Sequence, residues 1–124
     1  MYNQVIVENF SNPKHVGSLV GADFEIEIGN PVCGDRIRVQ LKANQHTVEE
    51  AVFKAWGCAT SVATANIFCN SITGKELSHI SQRNTSEFQS MLGDLEPSQQ
   101  HCLSILEQLH SQLVSAWPKE NIAK

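Results

Sequence analysis

The chain has 124 residues, of which 41% are hydrophobic and 18% are charged, a composition typical of a globular protein. We therefore expect a single domain spanning residues 1–124. The formal net charge of −4 argues against a nucleic-acid-binding surface, which is normally basic. The N-terminal segment lacks the pattern of a secretory signal, and no stretch approaches the ~18 apolar residues of a membrane span, so we expect no membrane association and a cytoplasmic location.

The first half of the chain is predicted to form one helix and three strands. Apolar residues at helical spacing in residues 2–10 predict a short N-terminal helix, which Asn12-Pro13 ends. Apolar residues alternate with polar or charged ones in residues 24–28 and again in residues 37–41, which predicts two half-buried strands. Residues 48–56 are predicted to form a third strand.

The hydrophobic period changes to 3.6 after Cys58, which predicts a helix that Gly74 ends. Two short helices are predicted to follow, over residues 75–82 and 85–92. The second of them has Asn84 in the position of an N-terminal cap.

A last, long helix is predicted near the C-terminus. Pro97 suits its first turn, Cys102 lies near its N-terminal end, and Pro118 marks its exit. Three strands followed by helices indicate an α+β fold, in which a three-stranded antiparallel sheet has helices packed on one face.

Three of the four cysteines lie at the ends of predicted elements. Cys33 lies in the bend between the first two strands, Cys58 at a strand-to-helix junction, and Cys102 at the start of the last helix. Thiols of a cytosolic chain more often bind metals or act chemically than form disulfides. Local context leaves two interpretations open, a shared metal site and inert buried thiols.

Cys69 is predicted to be a core thiol. It lies eleven helical residues after Cys58, which corresponds to ~16 Å along a continuous helix. Thiolates that share one metal ion lie within ~4 Å of each other, given metal–sulfur bonds of ~2.3 Å. Cys69 therefore cannot share a site with Cys58, and the remaining three cysteines need a fourth ligand.

Asp35 and His101 are the candidates for this fourth ligand, because each lies within two residues of a candidate cysteine and carries a donor atom for zinc or iron. The partial positive charge at the start of the last helix also predicts a lowered pKa for Cys102. The other histidines are predicted to have surface or packing roles, and Trp56 and Trp117 to be core and edge aromatics respectively. These histidines are His15, His46, His79 and His110.

Several motifs of this chain resemble the IscU/NifU-type family of iron–sulfur cluster assembly scaffolds, and the resemblance covers residues 2 to about 117. The motifs that carry it are Asn30-Pro31-Val32-Cys33-Gly34-Asp35, Trp56-Gly57-Cys58-Ala59-Thr60-Ser61 and His101-Cys102, with weaker support from residues 2–17 and 73–77. The resemblance implies that Cys33, Cys58 and Cys102 bind a transient [2Fe–2S] cluster. Asp35 and His101 would lie beside it.

The same resemblance implies the partners and the chemistry. A cysteine desulfurase would deliver persulfide sulfur to Cys102, iron and electron donor proteins would complete the cluster, and apo iron–sulfur proteins would accept it. Members similar to this chain often hold Zn²⁺ at the same ligands when the cluster is absent. The protein would then be a scaffold or carrier rather than an enzyme, and three thiolates with one weaker ligand would suit release.

The segment Leu95-Glu96-Pro97-Ser98-Gln99-Gln100 departs from the family pattern, which argues against recognition by the dedicated Hsp70-type chaperone. The SufU branch typically has an insertion between the second and third cysteines and lacks the histidine that this chain has at His101. In this chain the insertion is absent and His101 is present, which favours the IscU/NifU branch. Three alternatives remain, namely a zinc-dependent sulfur acceptor of SufU type, a structural zinc domain and, least favoured, a disulfide-stabilised secreted domain.

Overall fold

The computed structural model describes residues 3–30, 35–95 and 100–117. Within these ranges no helix is long and apolar enough to cross a membrane. The helices and strands are, in chain order, α1 (Gln4–Ser11), β1 (Phe24–Asn30), β2 (Asp35–Asn44), β3 (Thr47–Trp56), α2 (Ala59–Ile72), α3 (Leu77–Ser81), α4 (Thr85–Leu92) and α5 (His101–Ala116).

The three strands form one antiparallel sheet in the order β1-β2-β3, which confirms the predicted α+β fold. Ile26 pairs with Val39, and Val39 pairs with Phe53 on the other side. All three side chains are at least 97% buried, so these alternate positions form the inner face of the sheet. The intervening charged residues, such as Glu27 and Arg38, lie on the outer face and form an ion pair across β1 and β2.

Helix α2 is the central element of the helical layer. It contacts β2 and β3 on one side and α1, α4 and α5 on the others. Every residue from position 63 to position 69 is buried, although the sequence pattern predicts only one apolar stripe. The difference arises because the flanking helices cover the sides of α2, so polar residues such as Thr64 and Asn66 are also buried.

The short helices agree with the prediction to within a few residues. Helix α3 is shorter than predicted, since it covers Leu77–Ser81 only. Helix α4 has the predicted range, and its cap is as expected because the backbone N–H of Glu87 donates to Asn84 Oδ1 at 3.0 Å. Helix α5 begins at His101, and the predicted roles of Pro97 and Pro118 fall outside the described residues.

The predictions for the two tryptophans are wrong. Trp56 pairs with Arg36 on the outer face of the sheet, is 45% exposed, and has the Arg36 guanidinium 5.1 Å from its ring centroid. Trp117 is 3% exposed and packs edge-on against Phe24, with ring centroids 5.5 Å apart. The strand register decides which face Trp56 occupies, and the composition of the strand alone does not reveal this.

Candidate functional site

The start of α2 and the start of α5 come together at one point of the molecule. Cys58 is the N-terminal cap residue of α2 and follows Gly57, whose φ of +138° is a conformation that side chains rarely tolerate. His101 and Cys102 are the first two residues of α5. The turn at Gly57 therefore carries the chain from the sheet directly to the site.

Thr60, in the first turn of α2, connects these residues. Its Oγ1 atom lies 2.8 Å from Cys58 Sγ and 2.9 Å from His101 Nε2. Thr60 and Thr64 lie close enough to the Cys102 thiol to lower its pKa, and Cys102 is close enough to Cys58 for a charge on one thiol to affect the other. The structure therefore brings Cys58 together with His101 and Cys102, which lie more than 40 residues later in the sequence.

The other two candidate cysteine and carboxylate ligands are Cys33 and Asp35. Cys33 lies outside the described residues. Asp35 is the first residue of β2, and its backbone pairs with Asn30 at the end of β1, but its side chain is not among those described.

Cys58 is the more acidic of the two described site cysteines. Cys58 is an exposed residue whose thiol is partly buried, and this partial burial raises the pKa of the thiol. Hydrogen bonds with Thr60, Ser61 and His101 lower the pKa by more, and the resulting pKa is about 7. A large share of Cys58 is therefore thiolate at neutral pH, which is the form that binds metals and attacks sulfur.

Cys102 has the opposite properties, and the prediction of a lowered pKa for it is wrong. Its side chain is fully buried, and this burial raises the pKa of the thiol, with only partial compensation by hydrogen bonds with Thr64 and Thr60. The helix N-terminus contributes less than desolvation, because charging a thiol in a dry environment is costly. At neutral pH Cys102 is protonated in this conformation.

Cys69 is excluded from the site, as predicted. It lies near the C-terminal end of the continuous helix α2 and is fully buried in the hydrophobic core. Burial also raises the pKa of its thiol. Cys69 is a core residue.

The described site supplies two thiols and an imidazole, a donor set that suits zinc or iron. In the part of the chain that the structure describes, no group of three or more Cys, His, Asp or Glu side chains has the arrangement of a metal site. The donors are instead hydrogen-bonded through Thr60. Thr60 and Thr64 were not predicted from the sequence as site residues, although hydroxyl residues in the first turns after a cap cysteine are recognisable as its neighbours.

Comparisons with known proteins agree with the geometry. The family model described as NifU-like N terminal domain matches residues 1–124. The iron–sulfur cluster assembly scaffold protein IscU of Aquifex aeolicus is 31% identical over 112 residues, which cover 88% of this chain and 71% of that protein. The zinc-dependent sulfurtransferase SufU of Bacillus subtilis is 38% identical over 77 residues, covering 62% of this chain and 52% of that protein.

A solved structure has the same fold. The N-terminal part of a nitrogen-fixing NifU-like protein from Brucella abortus superposes with a TM-score of 0.63 at 17% identity, covering 98% of this chain and 93% of that one. The chain belongs to the NifU-like N-terminal domain family, within the IscU and SufU type of iron–sulfur cluster assembly proteins.

Proposed function

We propose that this chain is a single-domain scaffold that receives sulfur from a cysteine desulfurase, binds iron, builds a [2Fe–2S] cluster and transfers it to apo acceptor proteins. One observation carries the proposal. Cys58 at the start of α2 and His101 at the start of α5 both contact the Thr60 hydroxyl, and Cys102, next to His101, lies close to Cys58. Family membership supports the same conclusion.

The proposed ligands of the cluster are the three cysteines at element ends, with one oxygen or nitrogen ligand. They are Cys33, Cys58 and Cys102, with Asp35 or His101 as the fourth. Arg36, next to Asp35, pairs with Trp56, which lies two residues before Cys58. This pairing supports a common site, because the Asp35 end of β2 and the start of α2 lie at the same end of the sheet.

We propose Cys102 as the persulfide acceptor. Its thiolate would attack the outer sulfur of the desulfurase persulfide, the S–S bond would break, and the desulfurase cysteine would leave as a thiolate. Because Cys102 is fully buried, the first turn of α5 must move to admit the donor. Reduction of the transferred sulfur to sulfide then needs a pair of electrons, which an electron donor protein supplies.

The proposal implies a reducing compartment, because the ligand thiols must stay free. We therefore propose the cytoplasm as the location. Partners would be the desulfurase, the iron and electron donors and the cluster acceptors, without nucleic acid. Residues 96–99 of the segment 95–100 lie outside the described residues, and recognition by an Hsp70-type chaperone is not part of the proposal.

Anaerobic reconstitution with iron, cysteine and a desulfurase tests the proposal. Wild-type protein should develop the visible absorption of a cluster, whereas Cys33→Ser should lose it. Cys69→Ser is the matched control, because Cys69 is a core thiol outside the proposed site and its replacement should leave the absorption unchanged. Equal absorption in wild type and Cys33→Ser would refute the proposed ligand set.

A second function is favoured by the similarity to a zinc-dependent sulfurtransferase. In this alternative the chain keeps a tightly bound Zn²⁺ and passes persulfide onward without building a cluster. Zinc that survives purification, together with increased desulfurase turnover on adding the chain, would support it. Failure to bind zinc would eliminate it.

A further inference from the structure

Thr60 contacts every candidate ligand whose side chain the structure describes. Its Oγ1 atom is 2.8 Å from Cys58 Sγ and 2.9 Å from His101 Nε2, and Thr60 also lies close enough to the Cys102 thiol to lower its pKa. The side chain is only 2% exposed, so water does not compete for these bonds. Thr60 lies at the centre of the site without being a metal ligand of the usual kind.

The hydrogen bond with Thr60 occupies the Nε2 atom of His101. If Nε2 carries the ring proton, it donates to Thr60 and has no lone pair for a metal. If Nε2 is unprotonated, its lone pair accepts the Thr60 hydroxyl proton. In both tautomers, His101 can coordinate a metal through Nε2 only after the bond to Thr60 breaks.

Thr60 itself is held in place. It lies in the first turn of α2 with only 2% of its surface exposed, and β-branched side chains have few rotamers in a helix. His101, by contrast, is an exposed residue at the start of α5. The imidazole is therefore the partner that moves when the bond breaks.

We propose that Thr60 is a positioning residue that competes with a thiophilic metal for the Nε2 atom of His101 and so weakens the fourth ligand of the site. The inference rests on the proposed metal or cluster site and adds to it a device for release. When the metal leaves, His101 returns to Thr60, and the hydrogen bond compensates part of the lost coordination. This compensation lowers the free-energy cost of releasing the metal or cluster, which a carrier must do to supply its acceptor.

Removal of the Thr60 hydroxyl has two opposing effects on metal affinity. It frees His101, which strengthens binding, and it deletes the hydrogen bond with the Cys58 sulfur, which weakens binding. A double-mutant cycle separates them, because only the first effect requires the imidazole. One net hydrogen bond corresponds to a coupling of about 2- to 10-fold in affinity.

The experiment measures Zn²⁺ affinity of the full chain under anaerobic conditions, by competition with a chromophoric chelator. We compare the Zn²⁺ affinity with Thr60→Val to the affinity without it. This ratio should be about 2- to 10-fold higher in the wild-type background than in the His101→Ala background. An equal effect in both backgrounds would overturn the inference. Thr60→Ala serves in the same cycle if the valine variant does not fold, as judged by circular dichroism.

Two control variants make the cycle specific. Thr60→Ser keeps the hydroxyl, so its effect on Zn²⁺ affinity should be the same in the wild-type and His101→Ala backgrounds. Thr64→Val removes a hydroxyl that contacts Cys102 but not His101, so its effect should be the same in both backgrounds. Coupling as large for Thr64→Val as for Thr60→Val would contradict the proposed competition.

Co²⁺ substitution gives a spectroscopic readout. In wild-type protein the ligand-field bands should shift on His101→Ala, since a nitrogen ligand is lost. If Zn²⁺ binds through Cys58 but no coupling is found, the inference about Thr60 fails and the proposed function stands. If Cys58→Ser binds Zn²⁺ as tightly as wild type, the proposed site itself fails.

Discussion

At the scale of single residues, the two described site cysteines differ in their chemical state. Cys58 is exposed at a helix cap with hydroxyl and imidazole neighbours, and its pKa is about 7. Cys102 is fully buried, and burial raises its pKa. The sequence identified both positions, because they lie at element ends. It could not rank their acidity, since desolvation depends on how α5 packs on α2.

Alkylation by iodoacetamide tests the acidity of Cys58 in metal-free protein. A pKa of about 7 makes roughly half of Cys58 thiolate at pH 7, so we expect alkylation to be several-fold to tenfold faster than that of an ordinary cysteine and to rise with a midpoint near pH 7. Mass spectrometry of peptides would assign the modified residue, with Cys58→Ser as the control. A midpoint near pH 8.5, or faster reaction at Cys102, would contradict this environment.

At the scale of elements, the strands were predictable and some helix details were not. Alternation of apolar and charged residues in β1 and β2 gives both their positions and their inner faces. The complete burial of α2 could not be predicted, because it depends on helices that are distant in sequence. The start of α4 was predictable, since its cap is a local contact between Asn84 and Glu87.

Replacement of Asn84 tests this local signal. Asn84→Ala removes the acceptor for the Glu87 N–H and should lower the free energy of unfolding by about 1 kcal/mol. Asn84→Asp keeps an acceptor oxygen and should retain most of the stability. Urea unfolding followed by circular dichroism would compare the three proteins. An unchanged midpoint for Asn84→Ala would show that the cap is not important for stability.

At the scale of the whole molecule, a buried histidine joins three helical segments to the core. His110 packs against the rings of Phe68 and Phe88, with centroid distances of 5.0 and 4.4 Å. Its Nδ1 donates to the Leu106 carbonyl at 2.7 Å, while its Nε2 accepts from Arg83 at 3.1 Å. The sequence predicted a surface or packing role for His110, and it has the packing role.

This arrangement predicts a loss of stability at mildly acidic pH. Burial and the nearby Arg83 lower the pKa of His110 to about 4 in the folded protein, below the ordinary 6.5. The unfolded state therefore binds the proton more readily, so the contribution of neutral His110 is complete above pH 6.5 and is lost as pH falls towards 4. Between pH 7 and pH 5 the loss should be about 1 to 2 kcal/mol.

Urea unfolding at several pH values would measure this loss. His110→Gln removes the titrating group and should show a shallower decrease in unfolding free energy over the same range. His79→Gln is the control, because His79 is exposed and its replacement should leave the wild-type slope unchanged. A slope in His110→Gln as steep as in wild type would assign the acid sensitivity to other groups.

The central claim is that the three cysteines at element ends hold an iron–sulfur cluster. The most direct test is the iron, acid-labile sulfide and zinc content of protein purified without oxygen, compared with a variant in which Cys33, Cys58 and Cys102 are all serine. Wild type should contain iron and sulfide in equal amounts, or zinc in the cluster-free fraction, and the triple variant should contain neither. Metal and sulfide contents that are the same in both proteins would contradict the account.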